Sequence, residues 1–152
     1  MYWRWSRDCE ILLRWPDARE TLVEAMRNIL IIDDEDDIRE VAALSLEATA
    51  GWDITTACCG ADGIRAASDP ERRPHAILMD VMMPGMDGPT TFRKMQLDPE
   101  IAGIPVLLLT AKVQGVDQRR FAGLGVSGVL FKPFDPLTLA QQIADVLGWP
   151  SV

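Results

Sequence analysis

The apolar run Ala76-Ile77-Leu78-Met79 ends on Asp80 and breaks at once into Val81-Met82-Met83-Pro84-Gly85-Met86-Asp87-Gly88. Continuous apolar residues bounded by breakers suit a strand buried on both faces of a parallel sheet, with its C-terminal end at the ligand-binding edge. Asp80 is then a carboxylate at that edge. One such Asp is explained well enough as the cap of the next turn, so the other segments decide.

They repeat the pattern. Ile29-Leu30-Ile31-Ile32 runs into Asp33-Asp34-Glu35-Asp36-Asp37, residues 105–109 end on Thr110, and residues 128–131 end on Lys132-Pro133. A more dilute strand over 52–57, where Asp53 and Thr55 alternate with apolar residues, suits an exposed edge. Between them the spacing predicts helices. The first is capped by Asp36 or Asp37, faces inward through Ile38, Val41, Ala42, Leu44, Ser45 and Ala48, and stops at Gly51. Others span 60–68, about 89–98 with Phe92 and Met95 inward, about 116–124, and about 136–147 with Leu139, Ile143, Val146 and Leu147 inward. Capping and dipole compensation account for Glu35, Asp36 and Asp37. Strands alternating with helices give an α/β fold: a doubly wound, five-stranded parallel sheet with right-handed crossovers and helices on both faces.

A chain of 152 residues is most simply one domain. Residues 1–27 form an N-terminal extension rich in Trp and Arg, with an imperfect helix over 16–28, and Met26 offers an alternative start. The folded domain is expected over 28–148, followed by a tail over 149–152. A net charge of −8 disfavours phosphate backbones and anionic lipid, so no direct nucleic-acid or membrane contact is expected. The extension lacks the plan of a signal peptide, and no apolar run is long enough to span a bilayer. Cys9, Cys58 and Cys59 make neither a disulfide framework nor a tetrahedral metal set, and reduced thiols in a cytoplasmic protein are expected.

Because strand C-termini share one edge, Asp33, Asp34, Asp80, Thr110 and Lys132 converge although they are remote in sequence. Three carboxylates at close range repel, and Mg2+ resolves this by taking carboxylate and water oxygens, with Lys132 neutralising the remainder. There is no phosphate-binding Gly-x-x-x-x-Gly-Lys loop, no Gly-x-Gly-x-x-Gly fingerprint and no Asp-x-Asp at Asp80, where residue 82 is Met. Nucleotide hydrolysis, nicotinamide chemistry and Mg2+-dependent phosphatase chemistry are thereby disfavoured.

These motifs, with Arg39 after the first acidic loop, Leu109-Thr110-Ala111, and Phe131-Lys132-Pro133-Phe134, run in the order and spacing of one family. Over residues 29–147 the chain resembles the receiver domain of two-component response regulators. The resemblance implies a flavodoxin-like sheet of strand order 2-1-3-4-5 and phosphorelay signalling. By position, it implies Asp80 as phosphoacceptor and Mg2+ held by Asp33, Asp34, Asp80 and the main-chain carbonyl of Met82. Thr110 then contacts a phosphoryl oxygen, Lys132 pairs with the acyl phosphate, and Lys132-Pro133 is cis. The donor is a histidine kinase or histidine phosphotransfer protein, and the output is a contact with a downstream protein effector. Such a protein catalyses its own phosphorylation yet counts as a signalling protein, here expected to stand alone. The alternative is an interaction module that keeps the acidic pocket but signals without phosphorylation. One position departs: the aromatic residue usual three places before the lysine is Val129, which predicts a weaker switch through Thr110 unless Phe131 substitutes. The plainer expectation for Phe131 is an ordinary core aromatic.

Overall fold

The computed structural model describes residues 26–111 and 115–152, and of residues 115–118 the backbone alone. The expectations for the Trp-rich extension and Cys9 lie outside the described residues, as does the extension helix except at its end, where Asn28 opens a strand. Five strands, β1 (Asn28–Ile32), β2 (Asp53–Ala57), β3 (Ala76–Asp80), β4 (Val106–Thr110) and β5 (Gly128–Phe131), form one parallel sheet of order β2-β1-β3-β4-β5. The helices between and after them are α1 (Asp36–Ala50), α2 (Gly60–Ala67), α3 (Gly88–Gln96), α4 (Gly115–Ala122) and α5 (Leu139–Leu147).

The three central strands, β1, β3 and β4, are buried along their whole length, which is why they carry no polar alternation. Their side chains still alternate between faces. Leu30, Ile32, Ile77, Met79 and Leu108 join Ala67 of α2, Phe92 and Met95 of α3 and Phe121 of α4 in one core. Ile29, Ile31, Leu78, Leu107 and Leu109 join Ala42 and Leu46 of α1 and Leu139 and Ile143 of α5 in the other. Each fully buried aliphatic side chain contributes roughly 1.5–3 kcal/mol. The sheet is therefore a rigid platform whose C-terminal edge is fixed from both sides.

Several boundaries and faces differ from expectation. On α1, Val41, Leu44 and Ala48 are exposed, and Leu46 is buried in their place. The N-cap is Glu35, with Asp36 and Asp37 in the first turn. Gly51, at φ 66°, ends the helix in the left-handed conformation that glycine adopts without steric cost. Trp52 precedes β2 instead of opening it, and Asp53 and Thr56 are both exposed, so the edge strand has no clean buried face. The last helix begins at Leu139, not Pro136, because Asp135 folds residues 135–138 into a turn: its Oδ1 accepts from Leu137 N–H at 2.9 Å. Val146 is 40% exposed, lying against Gly128 of β5 and outside the core.

The end of the sheet opposite the strand C-termini is closed by aromatic packing. Trp149, just beyond α5, meets Trp52 edge to face with centroids 5.5 Å apart, and the Arg27 guanidinium lies 4.0 Å from the centre of a Trp149 ring. Replacing Trp149 with Ala is expected to cost about 2 kcal/mol in denaturant unfolding without changing chemistry at the far edge. An unchanged midpoint would show that this contact is dispensable.

Candidate functional site

The C-terminal edge brings the expected residues together. Asp33 follows β1, Asp80 ends β3, Thr110 ends β4 and Lys132 follows β5; Asp33, Asp80 and Thr110 are all buried. The register places Asp80 beside Leu109 and Thr110 beside Phe131, and Lys132 N–H donates to the Thr110 carbonyl at 2.8 Å. The Lys132-Pro133 peptide is cis.

Lys132 is the hub. Its Nζ lies 2.8 Å from Asp33 Oδ2, 3.3 Å from Glu35 Oε1 and 3.4 Å from Asp80 Oδ1. Burial alone works against the ammonium, but the hydrogen bond and charge of Asp33, the charge of Asp80 and the hydrogen bond to Glu35 outweigh it and hold its pKa above the usual lysine value. Asp33 is itself fixed: its Oδ1 accepts from Glu35 N–H at 2.9 Å, and its carbonyl accepts from Arg39 Nη1 at 2.7 Å. Glu35 is thus more than a helix cap. It makes no side-chain capping bond, and its carboxylate goes to Lys132 instead.

Asp80 is electrostatically burdened. Burial first, and the neighbouring charge of Asp33 second, push its carboxyl up to about 6, against the opposing pull of Lys132 and a hydrogen bond from Met82 N–H. The ligand oxygens of Asp33, Asp34 and Asp80 lie within 4.8 Å of one another. Asp34 Oδ1 is buried without a hydrogen-bond partner among the described residues. An acceptor left unsatisfied in this way, beside two other carboxylates, fits a hard divalent cation. Next to it a cleft of about 420 Å3 is lined by Asp34, Met82, Met83, Pro84 and Asp87.

Three parts of the site were missed. Glu35 as the second carboxylate on Lys132 depends on a contact across 97 residues of sequence, for which no local signal exists. Asp87 caps α3 by accepting from Thr90 N–H at 2.8 Å, and the Thr90 hydroxyl first, with that N–H second, holds its carboxyl below the ordinary range; the Asp-Gly-Pro opening was the available signal. Gly88 lies against the backbone of Asp80 itself. Val129 is half-buried against the α2–α3–α4 core. Phe131 is 41% exposed and lines a groove with Val129, Val126 and Ala122, so it is not a core aromatic.

Known proteins resemble this chain in sequence and in fold. The family model of the response regulator receiver domain matches residues 29–144. The phosphate regulon transcriptional regulatory protein PhoB of Pseudomonas aeruginosa is 36% identical over 125 residues, which cover 80% of this chain and 52% of PhoB. This chain thus spans about half the length of such curated relatives. Among solved structures, the chemotaxis protein CheY4 of Vibrio cholerae superposes with a TM-score of 0.73 at 29% identity, covering 80% of this chain and 98% of CheY4. The receiver domain of sensor histidine kinase PA1611 from Pseudomonas aeruginosa, described with a magnesium ion coordinated in its active site cleft, superposes at 0.71 with 26% identity, covering 81% of this chain and 98% of that domain.

Proposed function

The chain belongs to the response regulator receiver domain family, a family of phosphorelay signalling, and from that membership we propose that Asp80 accepts a phosphoryl group in a Mg2+-dependent transfer. The donor is a histidine kinase or a histidine phosphotransfer protein, and the signal leaves by contact with a downstream protein. The observation that carries this reading is the placement of the Asp80 carboxylate, 5% exposed, between an ammonium and two further carboxylates, of which Asp34 lines an open cleft.

The chemistry asks for positioning more than for a strong base. An Asp80 oxygen forms the new bond to phosphorus while the phosphorus–nitrogen bond of phosphohistidine breaks, and its electron pair returns to the imidazole. Lys132 already faces Asp80 and turns its ammonium toward the phosphoryl oxygens; Thr110, one strand away, contributes a hydroxyl donor. Asp33, Asp34 and Asp80, with the main-chain carbonyl of Met82, hold Mg2+, which when bound neutralises charge on the transferring group. Arg39 and Glu35 keep Asp33 and Lys132 in place between turnovers.

Acetyl phosphate with and without Mg2+ tests the proposal. A mass increment of one phosphoryl group is expected only with the metal, and its absence under both conditions would leave the phosphorylation-independent interaction module as the better reading. Affinity for Mg2+, followed by backbone chemical shifts, is expected to fall at least about tenfold in Asp34→Ala, since one of few protein ligands is removed from a water-rich ion. Equal affinity would take Asp34 out of the ligand set.

A further inference from the structure

We propose that Cys58, Cys59 and Asp62, at the corner between β2 and α2, form a three-ligand site for a thiophilic divalent cation of the Zn2+ and Cd2+ class. In sequence the vicinal thiols lack further ligands; folding supplies one. Their sulfurs and a carboxylate oxygen of Asp62, in the first turn of α2, all lie within 4.8 Å of one another. Cys58 Sγ is 3.6 Å from Asp62 Oδ2. Bond lengths of about 2.3 Å to sulfur and about 2.0 Å to oxygen give tetrahedral edges of roughly 3.5–3.8 Å, so one edge is already formed and the rest close by side-chain rotation.

The surroundings favour the ion. Arg65 Nη2 holds Asp62 Oδ1 at 2.6 Å, fixing the carboxylate with Oδ2 toward Cys58. Two thiolates and a carboxylate around a divalent ion leave one negative charge, and Arg39 and Arg65 both line the adjoining cleft of about 580 Å3. That cleft leaves the fourth coordination position open to water. Sulfur ligation separates this site from the all-oxygen cluster of Asp33, Asp34 and Asp80, which suits Mg2+. A disulfide between the two is disfavoured: adjacent Cα atoms are about 3.8 Å apart across a trans peptide, below the usual disulfide range of about 4.4–6.8 Å. Both cysteines are thiols.

Occupancy is felt beyond the corner. Cys59 caps α2 by accepting from Asp62 N–H at 3.5 Å. At Gly60, the next residue, a Cβ would lie 2.2 Å from Thr91 Oγ1 and 2.7 Å from Met86 Cε. Any adjustment of residues 59–60 therefore presses on α3 and on the loop that follows Asp80.

The test is Cd2+ titration of the full chain carrying Cys9→Ser, in excess Mg2+ to occupy the carboxylate cluster. It follows the ultraviolet thiolate-to-Cd2+ charge-transfer band and the Met86 methyl resonance. The expected result is saturation at about one ion per chain with a shifted Met86 methyl, affinity lower by at least about 100-fold in Cys58→Ser or Cys59→Ser, and by about 10-fold in Asp62→Asn. Serine keeps a capping oxygen at position 59, so that variant retains the start of α2. No band at one equivalent, an unmoved Met86 methyl, or an unchanged affinity in Asp62→Asn would each overturn the site.

Discussion

Asp80→Asn is expected to abolish phosphoryl incorporation from acetyl phosphate and, in metal-free buffer at neutral pH, to make the protein more stable. Loss of incorporation follows because the amide is no nucleophile. The gain in stability follows from the raised carboxyl, which burial and the neighbouring charge of Asp33 push to about 6 from the ordinary 3.8. Between those values the folded chain binds the proton that the unfolded chain has released, so stability falls as pH rises through that window and the full penalty remains above it. Two pKa units correspond to a ceiling of about 3 kcal/mol; water in the open cleft screens part of it, and the amide leaves Lys132 one carboxylate poorer. A gain of about 1–2 kcal/mol at pH 7 that shrinks toward zero near pH 4 is expected from denaturant unfolding. Incorporation that persists in the variant would remove Asp80 as acceptor, and a flat or inverted pH dependence would show that Lys132 overcompensates burial.

Gly88→Ala is expected to be the most damaging single methyl in the domain. A Cβ at Gly88 would stand 2.4 Å from the carbonyl oxygen of Asp80 and 3.0 Å from Val81 Cα, and both atoms are backbone. No rotamer relieves that contact. Gly88 N–H also donates to the Val81 carbonyl at 2.9 Å, so the start of α3 is locked onto the end of β3. The methyl must push α3 away or displace Asp80, at about 2–4 kcal/mol, and phosphoryl incorporation should fall at least tenfold in the fraction that remains folded. Gly85→Ala is the control. Gly85 has φ 78° but nothing within 4 Å of its Cβ, so only the left-handed backbone is penalised, by about 1 kcal/mol, with the site intact. Equal behaviour of the two variants would mean that loop conformation, not close approach, is what Gly88 provides.

What the chain states about itself is uneven, and the unevenness has physical causes. The central strands were legible because burial on both faces leaves no room for polar alternation, and Asp80, Thr110 and Lys132 were legible because parallel strands deliver their ends to one edge. The inward face of α1 was less so: Ile38, Ala42, Ser45 and Leu46 line the arc toward the sheet and α5, while Val41 and Leu44 fall just outside it, and hydrophobicity alone does not separate them. Pro136 suggested a helix start, yet the Asp135 turn competes for the same residues and wins. Glu35, Asp62 and Gly88 acquire their importance from neighbours that only folding supplies.

The Trp52–Trp149 contact, with Arg27 against it, has an architectural consequence. It ties the segment entering β1 to the segment leaving α5 at the pole opposite the carboxylates. A circular permutant that links residue 149 to residue 27 through a short flexible bridge, with new termini opened elsewhere, should therefore preserve the acidic pocket. By the same geometry, cargo fused at either junction hangs from the far side of the domain and leaves the carboxylate edge unobstructed.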